Sequence, residues 1–111
     1  MRDDFYCNEV LSGTTAVDKV LETDNVLAFQ HTRPFWETHI VVIPKRHVDS
    51  LLTIENNELL IELLNVVRSV ASSVVAEKGA ARVVTNLGDY QDSKHLHFHV
   101  NSGKQIREDI T

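Results

Sequence analysis

Three of the six histidines in this chain stand at alternate positions within one short segment, "HLHFHV", at His95, His97 and His99. Side chains of an extended strand alternate between its two faces, so the three imidazoles are predicted to share one face. The opposite face then carries only apolar side chains, those of Leu96, Phe98 and Val100. We expect the apolar face to pack on the core and the imidazole face to line a cleft or meet solvent.

Two kinds of chemistry use clustered imidazoles. Imidazole nitrogens bind zinc. Neutral imidazole is also a nucleophile toward phosphorus, and neighbouring histidines can donate protons and stabilise developing negative charge. Asp89 and Asp92 precede the cluster and could act as further metal ligands, so this segment alone leaves both kinds of chemistry open. A row of solvated histidines is the third alternative, but solvation does not select histidine three times.

The elements that must position these side chains can be predicted from hydrophobic patterns. Five strands are expected, at about Val17 to Glu22, Val26 to His31, His39 to Ile43, Arg82 to Leu87 and the histidine segment itself. Apolar residues at spacings of three and four predict one long helix between the third and fourth strands. Its stripe consists of Leu59, Leu60, Leu63, Leu64, Val67, Val70, Ala71, Val74 and Val75.

These elements predict an α+β fold in which a mostly antiparallel five-stranded sheet packs against one long helix. Thr53 or Asn56 is suited to cap the start of the helix, and Gly79 is suited to end it. A short helix is also expected near Phe5 to Ser12. The third strand is almost wholly apolar, so we expect it to lie at the centre of the sheet.

Length and composition favour one cytoplasmic domain over residues 1–111. The net charge of -5 argues against nucleic acid as a partner, because phosphate backbones are held by excess Lys and Arg. The only cysteine, Cys7, cannot form an internal disulfide, which suits a reducing compartment. The N-terminus has no apolar signal core, and polar residues interrupt the apolar run from Leu59 to Ala76, so no membrane partner is expected.

Four segments, in the same order along the chain, resemble the histidine triad (HIT) family of nucleotide hydrolases and transferases. "HLHFHV" is similar to the family signature, and "THIVVIPKRHVDSL" is similar to its segment with His39, Pro44, Lys45 and His47. "RVVTNLG" resembles the strand that ends in Asn86 and Gly88, and "DNVLAFQHTRPF" resembles the second strand with its following loop. The resemblance covers roughly Asp3 to Lys104, and the four elements in register make it specific.

The resemblance implies a homodimer with joined sheets and a purine nucleotide or nucleotide conjugate in a cleft of each protomer. It is closest to the Hint-like branch, whose members act on nucleotide phosphoramidates; dinucleoside polyphosphates are the related alternative. His97 is implied as the nucleophile on the α-phosphorus, with a nucleotidyl-histidine intermediate that water hydrolyses. His95 and His99 flank it, His39 lies against the triad, and Asn86 lies near the phosphate or leaving group. No cofactor is required.

Two departures from the family pattern concern substrate binding. His31 stands where the Hint-like branch has an Asp that accepts hydrogen bonds from the ribose hydroxyls. Neutral His can accept only one such bond, so we expect weak discrimination between ribose and 2′-deoxyribose. The loop before the triad, "LGDYQDSKH", is two residues shorter than usual. Gln91 keeps its position there, Asp92 replaces a hydroxyl residue and Ser93 comes one place late. A carboxylate would repel a phosphate, so we expect either that Asp92 points away from it or that the loop is reshaped and Ser93 takes the phosphate-binding role.

A zinc site found in some family members would correspond here to Asp4, Cys7, His47 and His95. Carboxylate can bind zinc, but one substituted ligand lowers the affinity, so we expect no metal. Two alternatives to a hydrolase with His97 as covalent nucleophile stay open. One is a nucleotide-binding module without catalysis, and the other is a metal-dependent hydrolase whose metal ligands are the triad histidines. Phe35 and Trp36 are equally suited to stack on a nucleobase or simply to pack.

Overall fold

The strands form one antiparallel sheet that places the histidine segment next to the central strand. The computed structural model describes residues 6–13 and 16–107. The strands are β1 (Lys19–Glu22), β2 (Val26–Gln30), β3 (Trp36–Pro44), β4 (Arg82–Val84) and β5 (Phe98–Gln105). Their order in the sheet is β1-β2-β3-β5-β4, and every pairing is antiparallel. The predicted α+β fold and the central position of the third strand are therefore confirmed.

One long helix, α1 (Asn57–Lys78), covers one face of the sheet. The Asn56 side chain accepts a hydrogen bond from the backbone N–H of Leu59, and Gly79 ends the helix in the left-handed conformation with φ 90°. By length and composition alone, α1 could cross a membrane, but its inner side chains pack on the sheet as in a core helix. These buried side chains are Leu59, Leu63, Val66, Val67, Val70 and Val74.

The apolar stripe was predicted with small errors of phase. Leu64 and Val75 were included in it but are exposed, whereas Val66 was left out and is buried. An α-helix has 3.6 residues per turn, so an apolar run this dense contains more than one possible stripe. Packing against the sheet decides which of these stripes is buried.

The second face of the sheet is covered by the N-terminal segment. Tyr6 and Val10 pack on apolar side chains of β2 and β3, namely Leu27, Phe29, Val41 and Ile43. This segment, Tyr6–Leu11, forms a π-helix, so the predicted short N-terminal helix is not seen as an α-helix; Phe5 lies outside the described residues. The wider π-turn accompanies burial of both Tyr6 and Val10 on the sheet.

The boundaries of the strands around the site differ from the prediction. The strand β2 ends at Gln30 rather than His31, and β3 begins at Trp36 rather than His39. The strand β5 begins at Phe98, so His95 and His97 precede it, and β4 ends at Val84 rather than Leu87. The side-chain alternation nevertheless holds before the strand begins, because Leu96, Phe98 and Val100 all pack in the cluster that contains α1. The three histidines consequently lie on the side of the sheet that the N-terminal segment covers.

Candidate functional site: a histidine cluster beside a cleft

The histidine segment and β3 bring four imidazoles together in the protein interior. His95, His97 and His99 are all buried, as is His39. The ring centroids of His97 and His99 are 4.9 Å apart, and those of His39 and His99 are 5.0 Å apart. Tyr6 lies over the cluster, with its ring 5.0 Å from that of His97. Sequence reasoning did not predict this contact, because nothing in the sequence pairs the N-terminal segment with the triad.

His97 has the tautomer that an attacking imidazole needs. Its Nδ1 lies 2.8 Å from the carbonyl oxygen of His95. A carbonyl oxygen only accepts hydrogen bonds, so Nδ1 of His97 donates and carries the ring hydrogen. The lone pair is therefore on Nε2. The ring lines the larger of the two depressions at the histidine cluster, which we call the larger cleft.

A chain of hydrogen bonds sets the tautomers of His39 and His99. The backbone N–H of Phe35 donates to Nδ1 of His39 at 3.0 Å, so the hydrogen of the His39 ring is on Nε2. That Nε2–H donates to Nδ1 of His99 at 2.9 Å, which leaves the hydrogen of His99 on its Nε2. His97 and His99 thus differ in kind: the first has a lone pair at Nε2 and the second has a hydrogen-bond donor there.

Burial keeps His39 and His99 neutral. Loss of hydration lowers the pKa of His99 to about 3, and repulsion from His97, His39 and His31 acts in the same direction. Burial likewise lowers the pKa of His39 to about 4, followed by repulsion from His97. At neutral pH His99 therefore acts as a neutral N–H donor and not as a cation.

The cleft beside His97 has a volume of about 300 Å³. This volume lies at the lower end of the range for small-molecule sites. Phe29 and Phe35 contribute apolar surface, and the loop before the triad contributes Asp92 and Ser93. The remaining lining residues are Tyr6, His31, Thr32, Arg33 and His97.

Ser93 carries a buried hydroxyl that has no hydrogen-bond partner among the residues that the structure describes. Buried polar atoms are usually satisfied, so such a group next to a cleft fits contact with a bound ligand. Gln91, in contrast, is buried, and its side-chain amide donates to the carbonyl oxygen of Asp49 at 2.6 Å.

A smaller depression of about 150 Å³ lies on the other side of the histidine pair. His39 and His99 line it together with Asn86, the asparagine singled out in the sequence. Trp36 is also in its wall, where the guanidinium of Arg82 lies 4.4 Å from the indole ring. The structure thus places Phe35 in both depressions and Trp36 only in the smaller one.

The HIT domain family model matches residues 13–106. The chain belongs to the HIT domain family. A HIT-like protein of Azospirillum brasilense is 34% identical over 107 residues, which cover 92% of this chain and 88% of the relative. The solved structure of a histidine triad protein from Clostridium difficile is 34% identical with a TM-score of 0.73, covering 98% and 97% of the two chains. A HIT family hydrolase of Legionella pneumophila is 26% identical with a TM-score of 0.78, covering 98% and 100%.

By fold and family the protein is thus a HIT-type, hydrolase-like protein, and its histidine segment is the one that names the family. Four segments of the sequence resemble the family. Three of them contain β2, which contributes Phe29 to the larger cleft, and β3 and β5, which contribute His39 and His99 to the histidine cluster. The fourth, which contains β4 and Asn86, contributes to the smaller depression.

The HIT protein also brings together three residues of the zinc site that the sequence suggested. Sγ of Cys7 lies 3.2 Å from Nδ1 of His95 and 3.7 Å from Nδ1 of His47. The opposite ring nitrogens donate hydrogen bonds, from His95 to the carbonyl oxygen of Pro44 at 2.8 Å and from His47 to Asp49 at 2.7 Å. Histidine ligands of metals commonly donate their second N–H in this way. These three residues therefore fit a metal ion; Asp4 lies outside the described residues.

A second group of histidines close enough to share a metal consists of His31, His39 and His99. Its tautomers do not fit one. Nδ1 of His31 accepts a hydrogen bond from the backbone N–H of Arg33 at 3.0 Å, and Nδ1 of His39 accepts one from Phe35. Both rings consequently carry hydrogen on Nε2, where a metal would need a lone pair.

We expect zinc to bind at the first group and not at the second. The purified protein should hold about one zinc per chain by elemental analysis, and a chelator should lower its unfolding midpoint by at least about 5 °C, because a metal there would tie the N-terminal segment to the sheet. Cys7→Ser should abolish this uptake, whereas His31→Gln should keep it. Equal zinc content in Cys7→Ser and native protein would contradict the assignment.

Proposed function

We propose that this HIT protein is a nucleotide hydrolase that acts at the α-phosphate of a nucleotide phosphoramidate or a dinucleoside polyphosphate. The observation that carries the proposal is the lone pair on Nε2 of His97, which lines the cleft of about 300 Å³. The ring of His99, which carries an N–H on Nε2, lies 4.9 Å from that of His97 and lines the adjoining smaller depression. The first group suits attack on phosphorus, and the second suits stabilisation of a phosphate oxygen.

The reaction follows from these roles. Nε2 of His97 attacks the α-phosphorus, the bond between phosphorus and the leaving group breaks, and an amine leaving group takes a proton from solvent water as it departs. The product on the enzyme is a nucleotidyl-histidine, which water then hydrolyses to the free nucleotide. The carbonyl oxygen of His95 holds the His97 ring through Nδ1–H and is suited to stabilise the positive charge that the ring gains.

The other residues of the site have supporting roles in this proposal. His39 fixes the tautomer of His99 through their 2.9 Å hydrogen bond. Ser93 donates its unpartnered hydroxyl to the phosphate, and Asn86 lies near the phosphate or the leaving group. Gln91 acts by holding the phosphate loop against Asp49. The substrate is a purine nucleotide or conjugate, bound in the reducing environment of the cytoplasm without nucleic acid or membrane as partner.

Turnover of a defined panel tests the proposal. Adenosine and guanosine 5′-phosphoramidates and the corresponding dinucleoside polyphosphates should be hydrolysed, with the nucleoside monophosphate as one product. A protein that binds these nucleotides but releases no product would instead be a nucleotide-binding module. Loss of activity with a chelator while the fold and nucleotide binding persist would favour a metal-dependent reaction at the triad, which the tautomers of His39 and His99 disfavour.

We also propose that the protein is a homodimer joined through β4. This strand is an edge of the sheet, and Val83 and Val84 on it are 47% and 38% exposed. Unpaired edges with exposed apolar side chains favour pairing with another chain.

Light scattering at micromolar concentration should therefore give twice the monomer mass. Val83→Glu should reduce the mass to that of a monomer, because it places a carboxylate in the interface of both copies. Val20→Glu is the matched control, since Val20 is 41% exposed on the opposite edge strand β1. A monomer mass for the native protein would remove this proposal.

A further inference from the structure

The turn between β2 and β3 places His31, whose ring carries a hydrogen-bond donor, in the wall of the larger cleft. His31 follows β2, and its ring lies 4.4 Å from that of His39 and 5.6 Å from that of Phe35. Its Nδ1 accepts the backbone N–H of Arg33 at 3.0 Å, so its hydrogen is on Nε2. The sequence led us to expect that His31 would accept a bond from the sugar; the structure uses that lone pair within the turn.

Two guanidinium groups accompany this donor. Arg33 lines the same cleft and is exposed. Arg107, beyond β5, donates from Nε to the carbonyl oxygen of Pro34 at 3.1 Å, with its guanidinium 6.0 Å from the ring of Phe35. Burial lowers the pKa of His31 to about 4, and repulsion from His39 and His97 acts in the same direction. Arg107 and Arg33 also lie near enough to His31 to repel its protonated form, with smaller effects on this pKa.

Among the described residues that line this cleft, Asp92, in the loop before the triad, carries the opposing charge. The described lining residues thus combine one carboxylate with the guanidinium of Arg33, the neutral N–H of His31 and the hydroxyl of Thr32, and the guanidinium of Arg107 lies behind this wall at Phe35. Such a donor-rich wall matches phosphate oxygens, which only accept hydrogen bonds when ionised, and guanidinium groups bind them with two parallel donors. A sugar hydroxyl hydrogen, by contrast, finds no acceptor on His31.

We propose that the His31 end of the cleft binds a phosphate group on the sugar. The preferred ligand is then a nucleoside with a 2′- or 3′-phosphate in addition to the 5′-phosphate that His97 attacks. This inference rests on the proposed function, because it assumes that the nucleotide occupies the cleft with its α-phosphate at His97. It names the class of nucleotide that the site selects.

Titration calorimetry at constant ionic strength tests the inference with three ligands: adenosine 5′-monophosphate, adenosine 2′,5′-bisphosphate and adenosine 3′,5′-bisphosphate. At least one bisphosphate should bind about tenfold or more tightly than the monophosphate, as expected for added charge-assisted hydrogen bonds. The 2′ and 3′ compounds show which sugar position faces the turn. Arg33→Gln should remove most of this preference.

Arg68→Gln is the matched control, because Arg68 is exposed on α1 and its guanidinium bonds to Asn65 at 2.9 Å. It removes the same charge and should keep the preference. His31→Asp should reverse it, since a carboxylate repels the added phosphate, and Arg33→Gln keeps the test valid if His31→Asp fails to fold.

Three results overturn the inference. If the monophosphate binds and neither bisphosphate binds more tightly, the inference is wrong while the proposed function stands. If Arg33→Gln and Arg68→Gln change the preference equally, the effect is one of overall charge and not of this site. If none of the three ligands binds, the nucleotide function fails and the inference fails with it.

Discussion

Replacement of His97 by Ala should lower turnover of a nucleoside phosphoramidate by roughly a thousandfold or more, while nucleotide binding changes little. The reason is that Nε2 of His97 forms a bond only during the reaction, so its loss removes an interaction of the transition state and not of the bound substrate. Single-turnover kinetics with calorimetry on the same variant separates the two effects.

Because His97 is buried beside Tyr6, its replacement could also disturb the fold, so the stability of the variant is measured as a control. An unfolding midpoint close to the native value would show that the lost activity is not lost structure. In His97→Gly, added imidazole should restore part of the turnover, because the small molecule can occupy the vacated space and attack in place of the side chain. Near-native turnover in either variant without imidazole would contradict the role of His97.

The protein should lose stability steeply between pH 6.5 and pH 4. In the unfolded chain His31, His39 and His99 take up protons near pH 6.5, whereas in the folded protein burial lowers their pKa values to about 4, 4 and 3. In this window the unfolded state binds up to three more protons. The free energy of unfolding therefore falls as the pH decreases, by up to about 4 kcal/mol per pH unit, and this contribution is fully present above pH 6.5.

Denaturant unfolding at a series of pH values measures this slope. His31→Gln should reduce it by about one third, because one of the three titrating groups is gone, and the remaining two keep their burial. A free energy of unfolding that stays constant from pH 6.5 to pH 5 would show that these imidazoles are hydrated in the folded protein.

The alternation of the histidine segment could be read from the sequence because it depends only on local geometry. Leu96, Phe98 and Val100 are apolar at every second position, and that is sufficient to place the imidazoles on the opposite side. The prediction held even though the regular strand begins only at Phe98. The long helix and its caps at Asn56 and Gly79 were predictable for the same reason.

The tautomers could not be predicted, because each depends on a backbone group elsewhere in the chain. His39 is fixed by the N–H of Phe35, and His31 is fixed by the N–H of Arg33, both within the turn after β2. The sequence shows that histidines are present but not which nitrogen carries hydrogen. For this reason His31 was expected to accept a hydrogen bond from the sugar, whereas it presents a donor.

The convergence of Cys7 with His47 and His95 was only partly foreseeable. The resemblance to relatives with a zinc site suggested the three residues, and the replacement of one ligand by Asp4 favoured loss of the site. The distances of 3.2 Å and 3.7 Å and the donation of both outer N–H groups now favour its retention. The acceptors of these two N–H groups are the carbonyl oxygen of Pro44 and the carboxylate of Asp49, which the spacing of residues in the sequence does not identify.

The central claim is that a covalent bond forms between His97 and the α-phosphorus, and rapid quenching tests it most directly. The enzyme is mixed with an adenosine 5′-phosphoramidate, quenched in alkali within the first turnover, and analysed by intact mass and peptide mapping, since a phosphohistidine is labile in acid. The account predicts an added mass of one adenylyl group on His97 that appears and decays at the rate of turnover. Turnover without an adduct, or an adduct on another residue, would contradict it.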